Sequence, residues 1–342
     1  MEHSNLKCVM KRLMKNVAFA AVALTAVLSS CTKESAPDVV SPASFTVDFI
    51  ASGLDSRTVF GTPDNGIRPV LWTANQKVAL FYNSQTGDQG WSDGAQYVTP
   101  TLSEDGLTAS FSATFSKDES GSHSFFAFSP LKSLTWMGNE DRDDDGINEK
   151  VVYAELPADQ VPHSGTCDEK GQLLVSRADF TDYPTNVRLA FTHLSAYGKI
   201  AGLELPAGAF PEGNDDSEIK PGIVGVLLEA NKPISGQIFR NFDENSVLVN
   251  KEKAFKYIYL DVNNELKGQA LADVFFACAP VQFGDGDFLK VTVYTTSDTW
   301  VKTITFSSAH PLSFSPGMIS SFGISPDGFE KAVEVSLNCA GF

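Results

Sequence analysis

Histidine is scarce in this chain, five among 342 residues. His123, His163 and His310 stand in separate turn-rich segments with no ligating partner two or four positions away, and His193, in LAFTHLS, suits a packed or edge residue better than a base. No H-x-x-x-H, C-x-x-C or phosphate-cradling glycine loop occurs. Zinc hydrolysis, dithiol redox chemistry and nucleotide binding therefore lack their usual ligands here. Basic residues are also few, 26 Lys and Arg against 42 Asp and Glu, for a net charge of −16. Such a surface repels phosphate backbones, which excludes nucleic acid as a partner. Beyond the first 30 residues, no stretch shows an apolar i, i+3, i+4, i+7 stripe, so an α-helical core is excluded as well.

The one long apolar run lies near the start. Lys7, Lys11, Arg12 and Lys15 precede Val17 to Leu28, apolar except for Thr25, and Ser29-Ser30-Cys31 follows. A positive end, a short apolar middle and a small-residue exit make a secretory signal. Twelve residues give about 18 Å of helix, short of the roughly 30 Å of hydrocarbon that a membrane span must cross. Leu28-Ser29-Ser30-Cys31 also resembles a bacterial lipobox, so residues 1–30 read as a removed leader and Cys31 as the lipidated first residue of the exported chain. Two or more acyl chains hold a protein firmly on a bilayer. Residues 31–43, polar and proline-punctuated, read as a flexible tether.

Few cysteines remain after Cys31: Cys167, Cys278 and Cys339. With Cys31 acylated, an odd number leaves at least one thiol unpaired within a monomer, and the fold must rest on apolar cores. Twenty-five Phe, 26 Gly and 17 Pro suit many short strands joined by tight turns. SFTVDFIA at 44–51 puts Phe45, Val47, Phe49 and Ala51 on one face and Thr46 and Asp48 on the other. Further strands are read at 70–74, 77–82, 107–115, 124–130, 187–191, 198–205, 254–262, 288–296 and 300–306, separated by turns such as Asp64-Asn65-Gly66 and Asp105-Gly106. Length suggests two domains, 44–185 and 186–342, each an all-β sandwich.

One acidic stretch has ligand spacing. In EDRDDDGINEK, Asp141, Asp143, Asp145 and Glu149 surround Gly146 in a pattern suited to calcium, although Val152 stands where an EF-hand needs its bidentate Glu. An ion-free acidic hairpin tip is the other reading. Of the tryptophans, Trp72 and Trp300 read as core, while Trp91 and Trp136, in turn-like surroundings, could stack on sugar rings. No pair of carboxylates is marked out for glycoside hydrolysis, and no catalytic constellation emerges.

Several segments, in their order, resemble the Bacteroides-type fimbrillin family: SRTVFG at 56–61, VLWTANQKVALFY at 70–82, ELPADQVPHSG at 155–165 with LLVSRADF after it, VRLAFTHLSAYGKI at 187–200 and LSFSPGMISSFGI at 312–324. The resemblance implies two tandem transthyretin-like Greek-key sandwiches and a surface-exposed outer-membrane lipoprotein of the fimbrium. It also implies assembly by donor-strand exchange with other pilus subunits or with itself, and no enzymatic activity. In such pilins a protease cuts after an arginine near the first strand, and Arg57 matches that position. Near the C-terminus, Val333, Val335 and Leu337 alternate with Glu334, Ser336 and Asn338, as a donor strand requires. That segment reads equally well as the last strand of a self-contained sandwich. The alternative function is a monomeric surface lipoprotein that binds a host or bacterial glycan.

Overall fold

The strands follow the apolar periodicity closely where one face is buried and depart from it where both faces are. The computed structural model describes residues 44–52, 59–60, 70–73, 76–83, 95–117, 122–141, 148–210, 221–262, 266 and 268–332. In chain order the main strands are β1 (Ser44–Ser52), β2 (Val78–Asn83), β3 (Gln96–Val98), β4 (Thr101–Leu102), β5 (Thr108–Ser116), β6 (His123–Ser129), β7 (Leu134–Glu140), β8 (Glu149–Leu156), β9 (Leu174–Phe180) and β10 (Asn186–Leu189). They continue as β11 (Ala196–Glu204), β12 (Ile223–Ala230), β13 (Ser235–Asn241), β14 (Ser246–Phe255), β15 (Tyr257–Asp261), β16 (Val274–Cys278), β17 (Phe288–Thr295), β18 (Thr299–Thr305), β19 (Ile319–Ile324) and β20 (Glu330–Lys331). The chain is all-β, with several sheets.

Sheet one has the order β10-β1-β5-β4 and packs on sheet two, in which β9, β6, β2 and β3 are neighbours. Their shared core holds Val47, Phe49, Ala51, Phe111, Phe125, Ala127 and Leu189. Every residue of β6 is buried. The reason is that sheet two is covered on both sides: Phe125 and Ala127 enter this first core, whereas Phe126 and Phe128 enter a middle core. A strand buried on both faces cannot alternate polar with apolar, and HSFFAFS does not.

Sheet three, β14-β13-β8-β7, covers that middle core with Val152, Ala154 and Ile238. A fourth sheet, built on β11 with β16 and β19 beside it, adds Tyr197, Phe275 and Ala277. Its opposite face sends Ile200, Val274 and Phe276 into a third core against the six-stranded sheet of Asp159–Gln160, β15, β12, β17, β18 and β20. Each buried side chain of this size contributes about 1.5–3 kcal/mol, so the middle core is a structural element in its own right.

Strand pairing runs across residues 185 and 186. β1 pairs in parallel with β10, β8 pairs antiparallel with β13 along six residues, and Asp159–Gln160 pairs with β15. Sheet three therefore takes strands from both expected domains, and the described residues fall within one compact unit, Pro42–Phe342. The physical cause is the second apolar face of sheets two and four, which neither half can cover alone.

Candidate functional site

β1 is an alternating strand held at the centre of its sheet. Val47, Phe49 and Ala51 are fully buried. Phe49 stacks on Phe111 with centroids 5.5 Å apart and meets Phe125 edge to face at 5.6 Å. Phe45 meets Tyr82 at 5.3 Å and Tyr183 at 4.6 Å, both edge to face. On the solvent side, Thr46 and Thr114 share a hydroxyl hydrogen bond of 2.9 Å, and Ser112 Oγ donates to Asp48 Oδ1 at 2.5 Å. Ladder bonds complete the hold: β1 opposes β5 from Ser44↔Ser116 to Ser52↔Thr108 and runs parallel to β10 from Asp48↔Asn186 to Ala51↔Leu189. Withdrawing β1 would leave unpaired backbone groups on β5 and β10 beside an apolar trough, a template for another strand.

Cys31 and Arg57 lie outside the described residues, as do Val333, Val335 and Leu337. The chain approaches that last segment through β20, which pairs with β18 at the edge of the six-stranded sheet, and Ala332 N–H donates to the Thr299 carbonyl at 2.8 Å.

The acidic stretch connects β7 to β8, and Glu140 and Glu149 at its two ends stand opposite each other. Asp141 follows β7 directly, while Asp143 and Asp145 lie outside the described residues. Among the described residues no cluster of three His, Cys, Asp or Glu side chains could hold a metal. The hairpin is tied to its neighbours through Asp243, which accepts from Lys150 N–H at 2.9 Å and from Arg177 Nη1 at 2.8 Å. Burial raises the Asp243 carboxyl, but these two donors outweigh it and hold the group below its ordinary value.

The histidines occupy separate places. His193 is buried and shares a 2.7 Å hydrogen bond with Tyr197 Oη; His123 is buried, shares one of 2.6 Å with Tyr82 Oη, and stacks on Tyr183. His163 and His310 close short turns with Thr166 and Ser307. Cys167 and Cys278 are free and buried, and burial pushes both thiols well up, so neither is an activated nucleophile.

Trp72 is core, edge to face with Phe191 at 5.3 Å, and Trp300 is half-buried against the third core. Trp136 corrects the expectation of a turn: it lies within β7, opposite Tyr153. Tyr153 in turn opposes Phe239, and Phe239 opposes Leu248, which makes one row across sheet three. Ring centroids in the row are 5.8 and 5.4 Å apart. Phe239 at its centre is only 3% exposed, so the row offers edges and not an open platform for a sugar ring. Trp91 lies outside the described residues.

No protein-family model and no curated protein matches the chain. Among solved structures, a candidate cell adhesion protein from Bacteroides ovatus is similar over 85% of this chain and 97% of its own, at 10% identity and a TM-score of 0.44. A fimbrial assembly protein from Parabacteroides distasonis is similar over 84% and 94%, at 10% identity and a TM-score of 0.37. A fimbrial protein from Bacteroides vulgatus is similar over 76% and 92%, at 12% identity and a TM-score of 0.37. The structural neighbours are thus adhesion and fimbrial proteins, at a loose likeness.

Proposed function

We propose that this chain is a fimbrillin-like surface lipoprotein, a structural or adhesive subunit of a pilus assembled by donor-strand exchange, and not an enzyme. The observation that carries this reading is the position of β1. It fills a central slot with three fully buried side chains, and Arg57 follows five residues after the strand ends. Cutting there would free a strand held by packing and ladder bonds, and leave a trough shaped for a replacement. Val333, Val335 and Leu337 of a second subunit are the proposed replacement, each contributing about 1.5–3 kcal/mol on burial. In this reading the first and third cores are the interiors of two transthyretin-like Greek-key sandwiches, with the middle core as their joint. Lipid on Cys31 would hold the chain on the outer membrane.

Arg57→Ala tests the proposal. Cells with the unaltered chain are expected to yield a ladder of polymers on unheated denaturing gels, with subunits shortened at residue 57, and the variant to yield full-length monomer only. An undiminished ladder from the variant would overturn the strand-exchange reading. A native chain that is neither cut nor polymerised would favour the monomeric glycan-binding lipoprotein.

A further inference from the structure

The solvent face of β1 forms the floor of a recess. Asp48 and Ile50 of β1, Ser110 and Ser112 of β5, Thr101 of β4 and Asn186 of β10 line an open-sided hollow of about 660 Å³, within the roughly 300–1,000 Å³ usual for small-ligand sites. Its polar groups are held in place. Besides the Ser112–Asp48 bond, Ser110 Oγ donates to the Thr101 carbonyl at 3.3 Å and Asn186 Nδ2 to Thr185 Oγ1 at 3.2 Å. One oxygen of Asp48 is thereby engaged and the other, Oδ2, has no partner among the described residues. Between these hydroxyls, Ile50 is 43% exposed, an apolar step on an otherwise polar face.

The chemistry of the lining selects among ligands. Among the described residues that line the recess none is Lys or Arg, the ladder partner of Ile50, Arg188, stands outside the lining, and the chain carries a net charge of −16, which disfavours phosphate, sulfate and acidic ligands. Asp48 is the single carboxylate among the described lining residues, too few for a hard cation, which takes six to eight oxygen ligands when it is calcium. A peptide would need open ladder groups, yet β1 is paired on both edges. A neutral sugar meets all the features present: its adjacent hydroxyls donate to the Asp48 carboxylate and to the Ser110 and Ser112 oxygens and accept from Asn186 Nδ2, while a ring C–H face lies on Ile50.

We propose that this recess binds a neutral saccharide. The site deepens the adhesive half of the function proposed above by naming its receptor class. It also has a consequence for assembly: because Asp48 and Ile50 belong to β1, the site exists only on a subunit that keeps its own first strand. A bound sugar stabilises that form by mass action, and removal of β1 destroys the site.

Saturation-transfer NMR on the full chain tests this, with mannose, galactose and N-acetylglucosamine as neutral probes and glucuronate as the acidic one. At least one neutral sugar is expected to receive saturation from the unaltered chain, with affinity reduced about tenfold or more in Asp48→Ala and in Ile50→Ser and unchanged in Tyr153→Ala, and glucuronate to receive none. Ile50→Ser serves if Asp48→Ala fails to fold. No transfer to any neutral sugar, transfer that survives in both recess variants, or transfer lost only in Tyr153→Ala would overturn the proposal. Polymer ladders are read separately. A chain that assembles without binding sugar refutes the recess alone, and a chain that binds sugar without ever assembling upholds the recess and refutes strand exchange.

Discussion

The ring of Phe276 lies directly over Gly198: the two residues are cross-strand partners of β16 and β11, and a Cβ placed on Gly198 would stand 2.0 Å from the Phe276 Cζ. The ring has nowhere to go, since Phe276 is 2% exposed and has Phe314 and Phe322 as edge-to-face neighbours at 6.0 and 6.3 Å. Gly198→Ala is therefore expected to overpack the third core and to lower stability by about 1–3 kcal/mol in urea denaturation. An unchanged midpoint would mean that the ring repacks freely.

Phe49→Ala removes the side chain that fills the β1 slot between Phe111 and Phe125. The expected loss is about 3–5 kcal/mol, and limited proteolysis should then release β1 from the uncut chain much faster than in the unaltered protein. A loss of under about 1 kcal/mol would show that β1 is weakly held before any cleavage.

Acid sensitivity has a sign fixed by Asp243. Its folded value is depressed below the ordinary 3.8, so its contribution is fully present above that value and disappears as pH falls through the lower, folded one. Asp243→Asn is expected to melt below the unaltered chain at neutral pH, with the gap closing in acid. A gap that persists undiminished at low pH would assign the effect to lost hydrogen bonds and not to charge. Because the carboxyl is part-exposed, salt should shrink the neutral-pH gap.

Calcium held by Asp141, Asp143, Asp145 and Glu149 would relieve their mutual repulsion in the segment between β7 and β8 and raise the melting temperature with ion concentration. The comparison is thermal unfolding in millimolar calcium against chelator, with a triple Asp→Asn variant as control. Equal melting temperatures would remove the ion from the account.

The strands of sheet one were legible because one face is wet: LTASFSATF alternates without a break, and Thr108–Ser116 has the matching burial. The segment AFKYIYLDV alternates just as well and reads as one strand, yet it is two. Phe255 closes the pairing of β14 with β13, and Tyr257 opens that of β15 with β12, so the chain changes sheets at Lys256 without any change of period. Sheet three and the Trp136–Tyr153–Phe239 row were not legible for a different reason. Tyr153 and Phe239 are 86 positions apart and meet only through the register of β8 on β13, which alternation cannot encode. The polar recess was hidden in the same way: SFTVDFIA shows that Asp48 faces water, but not that Ser112 and Asn186 stand beside it.

The pairing of β8 with β13 also constrains the order in which the chain can fold during its synthesis. As the polypeptide emerges with its N-terminus first, residues 44–185 present the inner face of sheet two, with Ala79, Phe81, Phe126 and Phe128, before Ile238, Phe275 and Ala277 have arrived to cover it. Contacts of such long sequence separation form slowly. The half-made chain would therefore carry a sticky apolar surface, and its folding would depend on a holding factor until residues 235–279 have been made.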